Sequence, residues 1–341
     1  MVQKGKIGFI EFIRGTAALM VMLEHLWPFA RDLLHYDSKL FDVLTKDFFN
    51  IGQMGVVSFF LITGYLVPWS CYGKSNKEFA VSRIVRIYPV YIVSVLGLSI
   101  AASALGRGYS ITEILINLTL LQMFFGIENV NGASWVLTYN IIIYILCIIF
   151  KKYVKETKVV LGGFYLLCTG ILCAAFVRSR LQGKLPVGIM LLFAAALLGH
   201  ILRLHHEKLL EENKVKVSIL VFFLVAAASI IIGYDFTVGD GLHGYNYLAS
   251  FILAPAFFIY LYIRQLQTEN RCILFVSKIS YSLFLMHPVA FELFHIYKEG
   301  CIRSVFLIAC TAAAFAAAYI SYVLIEAPCQ KILTFYKNRF S

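Results

Sequence analysis

Four ionisable residues lie within the first long apolar segment, residues 7–27: Glu11, Arg14, Glu24 and His25. A charge near the bilayer centre costs at least ~2.5–3.5 kcal/mol, so each of these residues needs a partner, a water-filled cavity or a function. Arg14 and His25 are eleven residues apart, which places them on nearly the same helix face. Imidazole titrates near neutral pH, which makes His25 the best candidate base.

Two carboxylates accompany this pair. Glu24 is adjacent to His25 but about 100° around the helix, so it is not expected to form a His-carboxylate dyad. Glu11 is a weaker candidate for pairing with Arg14.

Arg83 and Arg86 lie in the segment SRIVRIYPVY, and their spacing of three puts them on one face at the start of a helix. Basic residues at the ends of membrane spans commonly mark the cytoplasmic side, which is the simpler interpretation. The alternative is a phosphate clamp, because guanidinium groups match phosphate oxygens in geometry and charge.

His287 precedes Pro288 in the apolar segment ISYSLFLMHPVAFELFH. A proline inside a helix frees a backbone carbonyl and kinks the chain. A histidine at such a kink is equally consistent with a hydrogen-bonded packing element and with a functional group.

Other polar or small residues interrupt the apolar segments. Trp135 and Tyr139 are typical of interface anchors, whereas Asn140 lies deeper and needs a partner. Gly55 and Gly64, with the small polar residues between them, favour close helix packing over substrate contact.

These residues must be positioned by membrane-spanning helices. Of 341 residues, 60% are apolar and 14% charged, the mean hydropathy is +0.79, and apolar runs of span length recur throughout. We therefore predict an all-α polytopic membrane protein, with residues 1–341 as a single integral domain. About ten transmembrane helices are expected, near residues 7–27, 51–70, 84–106, 134–150, 158–177, 185–202, 216–233, 246–263, 279–297 and 303–325.

An eleventh apolar piece, residues 111–125, is rather short to span and is predicted to be a re-entrant or interfacial helix. With this count, twenty of the 30 lysines and arginines lie in inner segments, nine in outer segments, and Arg14 within the membrane. The excess predicts that both termini are cytoplasmic.

The net charge of +11 is explained by these inner loops, so no nucleic-acid binding is expected. The eight cysteines are scattered, mostly in apolar runs and without metal-ligand spacing. Neither a metal site nor a disulfide framework is predicted.

Six segments in order resemble the acyltransferase-3 family of membrane acyltransferases, and most closely its bacterial O-antigen and exopolysaccharide O-acetyltransferases. Any one of them would match an apolar chain easily, but six in the right order are specific. The segments are Arg14-x10-His25, FFLITGYL at 59–66, SRIVRIYPVY at 82–91, NGASWVLTY at 131–139, SYSLFLMHP at 280–288 and YVLIEAP at 322–328.

The resemblance implies a multi-pass enzyme of the bacterial cytoplasmic (inner) membrane that moves an acyl group, usually acetyl, from acyl-CoA to a carbohydrate hydroxyl. Acetyl-CoA is then the co-substrate, a free or lipid-linked carbohydrate is the acceptor, and membrane lipid surrounds the protein; the oligomeric state is left open. Many members carry Glu where this chain has Asn140, so a carboxylate role is not transferred to it.

Acyl transfer from a thioester needs a base, a site for the oxyanion and a grip on the donor. His25 is assigned as base or transient acyl carrier, and Arg14 to the donor or to orienting groups beneath His25. Arg83 and Arg86 are assigned to the CoA phosphates. The second-tier lining residues are Glu24, Trp135, Tyr139, Asn140, Ser280, Tyr281 and His287.

The competing class is a transporter or flippase of a polysaccharide or lipid-linked intermediate. In that class Arg14, His25 and His287 would form a proton or substrate path. Composition and span count fit both classes equally, and the arginine pair together with the family segments favours the enzyme.

Overall fold

Helices form wherever the sequence carries long apolar runs. The computed structural model of the chain describes residues 8–34, 38–181, 185–237, 242–266, 270–294 and 303–340. In this part of the chain 86% of the structure is helix and there is no strand, which confirms the predicted all-α class.

Thirteen α-helices are present in the described residues. They are α1 (Gly8–Leu34), α2 (Lys39–Asp42), α3 (Ile51–Tyr72), α4 (Asn76–Ala104), α5 (Ile111–Leu118), α6 (Trp135–Ile149), α7 (Thr157–Leu181), α8 (Val187–His206), α9 (Glu212–Gly233), α10 (Gly244–Arg264), α11 (Arg271–Phe294), α12 (Arg303–Ser321) and α13 (Ala327–Phe340). A π-helical turn, Tyr322–Glu326, separates α12 from α13.

Nine helical segments of the described chain are long and apolar enough to cross a membrane. Each overlaps one of the predicted spans after the first; residues 295–297 of the predicted ninth span lie outside the described residues. The predicted first span corresponds to α1, which carries the four ionisable residues and is not among the nine. Residue 7, the first residue of that predicted span, lies outside the described residues. The count of ten spans and the cytoplasmic side of both termini stay predictions.

Residues 111–125 form two short elements instead of one helix. The eight-residue α5 is about 12 Å long, and the 3-10 helix Gln122–Phe125 follows it. Leu120 between them has φ of 60°, which no α-helix accommodates. The Asn117 side chain donates to the Glu128 carbonyl at 3.0 Å and accepts from the Val130 N–H at 2.9 Å, which ties the following loop back to α5.

Contacts divide the chain into two compact units. The first comprises the described residues of Met1–Glu24, Ser38–Ser75 and Ile143–Leu274. The second comprises those of His25–Asp37, Asn76–Ile142 and Phe275–Ser341.

In the first unit α3 packs along α8 and α10. A Cβ on Gly64 would lie 1.6 Å from the Ala196 carbonyl oxygen, and one on Gly55 would lie 2.7 Å from the Ala17 carbonyl oxygen. Glycine is therefore needed at both positions for backbones to approach, which confirms the packing interpretation of Gly55 and Gly64.

The core of the first unit is aromatic. Phe9 of α1 makes edge-to-face contacts with Tyr65, Phe258 and Tyr262, with ring centroids 5.6, 5.7 and 5.9 Å away. These contacts place the first half of α1 against α3 and α10.

In the second unit α4 packs against α5, the π-helical turn and α13. The Ser282 hydroxyl of α11 donates to the buried Glu326 carboxylate at 2.7 Å, and Gln330 of α13 donates to its other oxygen at 3.1 Å. Tyr281 donates to the Ile87 carbonyl of α4 at 2.8 Å. These bonds join α4, α11, the π-helical turn and α13.

Candidate active site

Two histidines of the second unit, His25 and His287, lie in direct contact. Nδ1 of His25 lies 2.7 Å from Nε2 of His287. The ring planes differ by 19° and the centroids are 5.0 Å apart, so the rings meet edge to edge. His287 is fully buried and His25 is half-buried, which makes His25 the more accessible member.

The hydrogen-bond network sets the direction of this pair. Nδ1 of His287 lies 2.8 Å from the Leu283 carbonyl oxygen. A carbonyl only accepts, so in the neutral ring this nitrogen carries the proton and Nε2 is an acceptor. His25 must then donate from Nδ1, which leaves the lone pair of its neutral ring on Nε2. A base or nucleophile at His25 therefore acts through Nε2.

The local sequence explains how His287 is held. Pro288 lies inside α11 and removes the helix hydrogen bond that residue 288 would donate. The His287 ring turns back along its own helix to the Leu283 carbonyl and packs edge-on against Phe291, with centroids 5.6 Å apart. A Cβ on Gly97 of α4 would lie 3.2 Å from Val289, so α4 supports the helix just after the proline.

Asn131 positions the helix that carries His287. Its side chain is fully buried, and its amide donates to the Leu285 carbonyl at 3.0 Å and to the Ser94 hydroxyl at 3.1 Å. Its carbonyl oxygen accepts the Ala133 N–H at 3.0 Å. One asparagine thus links α4, the loop before α6 and the segment of α11 two residues before His287.

In the first unit, Arg14 forms an ion pair with Glu11 on the preceding turn at 3.0 Å. The exposed fractions of the two side chains are 20% and 10%, so the pair is largely withdrawn from solvent. Glu24 lies against Gly52 of α3, whose Cβ position is 2.9 Å from a Glu24 carboxylate oxygen. The expectation that Glu24 does not form a dyad with His25 stays a prediction.

α4 begins at Asn76, before the predicted span, so Arg83 and Arg86 are its eighth and eleventh residues and do not lie at the helix start that the sequence indicated. Arg83 is half-buried, with its guanidinium 5.0 Å above the Phe79 ring, and Arg86 is exposed. The Arg86 side chain is therefore more accessible to a ligand than that of Arg83.

The remaining predicted lining residues occupy varied positions. The Trp135 and Tyr139 rings contact each other edge to face, with centroids 6.0 Å apart, and Asn140 is buried. Ser280 donates to the Ser277 carbonyl of its own helix at 2.8 Å. Tyr281 is bound to the Ile87 carbonyl as described, which brings it next to the basic start of α4.

Seven cysteines lie in the described residues, and all have free thiols; Cys301 lies outside them. Within this part of the chain no cluster of three or more His, Cys, Asp or Glu side chains could hold a metal ion. The chemistry available at the histidine pair is that of imidazole, as base or as nucleophile.

The comparison with protein families identifies the family of the chain. The acyltransferase-3 profile, described as an acyltransferase domain, matches residues 7–325. The chain belongs to the acyltransferase-3 family. No curated protein and no solved structure matches it significantly. As a member of this family, with nine segments of membrane-spanning character in the described residues, it is a multi-pass membrane acyltransferase.

Sequence reasoning selected His25 and His287 separately and missed their contact. It also missed Asn131, although the segment beginning there was one of those that pointed to the acyltransferase-3 family. An asparagine at the head of a span, followed by a glycine turn, is the signal that could have identified a residue bonding to backbone on other helices.

Proposed function

We propose that this acyltransferase-3 protein is an O-acyltransferase that moves an acyl group, expected to be acetyl, from cytoplasmic acyl-CoA to a carbohydrate hydroxyl. The acceptor class is a surface polysaccharide such as O-antigen or exopolysaccharide, free or lipid-linked, and the site of action is the bacterial inner membrane. The observation that carries the proposal is the hydrogen-bonded line from the Leu283 carbonyl through His287 to His25, because it prepares one imidazole nitrogen for proton or acyl transfer.

In the direct route, Nε2 of His25 takes the proton of the acceptor hydroxyl while the hydroxyl oxygen attacks the thioester carbonyl. The carbon–sulfur bond then breaks, and the CoA thiolate leaves and takes the proton back from the imidazolium. His287 stabilises that imidazolium by accepting the His25 Nδ1–H.

In the relay route, Nε2 of His25 attacks the thioester itself and the CoA thiolate leaves. The acyl-imidazolium passes its Nδ1 proton to Nε2 of His287. The acceptor hydroxyl then attacks the acyl carbon, the bond from that carbon to Nε2 breaks, and Nδ1 of His25 recovers its proton from His287. The hydroxyl proton is released to solvent, which balances the proton that the CoA thiolate takes up. Both routes start from the same hydrogen bond, in which Nδ1 of His25 donates to Nε2 of His287.

The phosphates of acyl-CoA need cationic side chains to bind them. Arg83 and Arg86 are proposed to hold the CoA phosphates, since guanidinium groups bind phosphate oxygens with charge-assisted hydrogen bonds. For Arg14, a role towards the donor implies exchange of its Glu11 pairing for the ligand.

The test uses purified protein in nanodiscs with radiolabelled acetyl-CoA and no acceptor, quenched within one turnover. Label on His25 supports the relay; CoA release that requires acceptor and leaves no label supports the direct route. His25→Ala is expected to abolish both. His206→Gln is the control, because His206 is the last residue of α8 in the first unit and is not part of the histidine pair. In cells, polysaccharide NMR is compared with and without the gene, and acylation that persists in the His25→Ala strain would contradict the assignment.

A further inference from the structure

The first unit contains an apolar cavity of about 380 Å³ between α3, α6, α7 and α8. Sixteen residues line it, and all are apolar or glycine apart from Tyr153 and His200. Ala196 and His200 are buried in its wall, whereas Leu146, Phe150 and Val159 are 40%, 51% and 45% exposed. The cavity therefore has a buried interior and an exposed apolar rim.

Tyr153 and His200 are the two lining residues whose side chains carry a hydroxyl or a ring nitrogen. Nε2 of His200, a residue only 4% exposed, lies 2.8 Å from the Val154 carbonyl, so this nitrogen already donates within the protein. Pockets of about 300–1,000 Å³ with mostly apolar walls are typical of ligand sites. The interior favours a hydrocarbon chain.

The rim is basic. Residues 150–160, FKKYVKETKVV, supply five of the lining residues and also four lysines, against one glutamate. Lys152, Lys155 and Lys158 are exposed. The ammonium of Lys155 lies 4.3 Å from the Tyr72 ring centroid, which holds it at the end of α3. A ligand with its chain in the cavity would place its head among these lysines.

We propose that this cavity binds an anionic phospholipid of the bilayer, with one acyl chain inside and the headgroup phosphate at the lysines of residues 150–160. Charge complementarity selects an anionic over a zwitterionic lipid, because lysines beside the ends of membrane spans attract anionic headgroups. The exposed apolar rim favours a bilayer lipid over a water-soluble ligand. The site contains neither histidine of the pair, and it assigns a function to the lysine-rich segment.

The test is native mass spectrometry of the purified full chain titrated with phosphatidylglycerol or phosphatidylcholine. Gly163 lines the cavity and a Cβ there meets no atom within 4 Å, so Gly163→Leu extends into the open space without a backbone clash. Gly162→Leu is the matched control, because a Cβ there is equally unhindered and Gly162 is not among the lining residues. The one-to-one phosphatidylglycerol adduct is expected in wild type and Gly162→Leu and is expected to be lost in Gly163→Leu.

The headgroup is tested with the double variant Lys152→Gln, Lys155→Gln, for which about a tenfold or greater loss of phosphatidylglycerol affinity is expected. The control, Lys214→Gln with Lys216→Gln, removes the same charge from lysines paired with Glu211 and Glu212. Thermal unfolding confirms that each variant is folded. Retention of the adduct in Gly163→Leu, equal binding of phosphatidylcholine, equal losses in the two lysine variants, or displacement by equimolar palmitoyl-CoA would each overturn the proposal.

Discussion

Asn131 donates its side-chain amide to the backbone carbonyl of Leu285 at 3.0 Å, two residues before the histidine that holds His25. Both groups are buried, and the asparagine also bonds to Ser94 of α4. Removal of one partner from a buried hydrogen bond costs about 1–3 kcal/mol, because the other partner is left without its bond.

We therefore expect Asn131→Ala to lower the free energy of unfolding by about this amount. Since it acts on the position of His287, kcat should fall while KM for acyl-CoA changes little. Asn131→Asp keeps the side-chain volume but loses the amide that donates to Leu285, so it should have the same effect as Asn131→Ala. Steady-state kinetics and thermal unfolding check this; an Asp variant with wild-type kcat would show that the hydrogen bond to Leu285 does not matter.

His287→Leu removes the acceptor for the His25 Nδ1–H and should reduce kcat by roughly 10²-fold or more, the usual range for a general acid–base group. His287→Gln keeps a side-chain carbonyl that can accept from His25, so it should retain more activity than the leucine variant. A purely structural role predicts instead that activity follows stability in the two variants. Measured kcat against unfolding temperature separates the two explanations.

Arg83→Ala and Arg86→Ala should each raise KM for acetyl-CoA by roughly tenfold, the equivalent of one hydrogen bond to a charged group. KM for acetyl-pantetheine, which lacks the ADP phosphates, should not change. Arg107→Ala is the control, because Arg107 is an exposed arginine of the same unit, paired with Glu292 at 2.8 Å. Equal changes for both donors would favour membrane anchoring over phosphate binding.

Gly64→Ala should destabilise the first unit by at least about 1–3 kcal/mol, because the added methyl group overlaps a backbone carbonyl that cannot turn away. Gly199→Ala should do the same, since its Cβ would lie 2.2 Å from the Leu61 carbonyl oxygen. Gly162→Ala meets no atom within 4 Å and should be neutral or slightly stabilising. Unfolding temperatures in one detergent check the series.

Much of the helical structure could be predicted from the length of the apolar runs, because a span needs about twenty apolar residues. The approach of Glu11 and Arg14 also follows from local spacing, since residues three apart share a helix face. The break at Leu120 could not be predicted, because it depends on the Asn117 side chain bonding to backbone ten or more residues away.

The histidine pair could be anticipated only as two separate residues. His25 and His287 are 262 positions apart, and each was selected for its own chemistry in an apolar setting. No local pattern states which helices pack together, and that packing is decided by side chains such as Asn131 whose partners are backbone atoms of distant helices.

The group that orients the histidine pair is a main-chain atom. The Leu283 carbonyl is present whatever side chain occupies residue 283, so a substitution at that residue leaves the direction of proton donation unchanged. For the engineer this is a transferable rule. In a designed membrane bundle, a histidine ring can be directed to the carbonyl four residues earlier on its own helix and placed opposite a second histidine. The direction of the hydrogen bond between the two rings would then be fixed without any buried carboxylate.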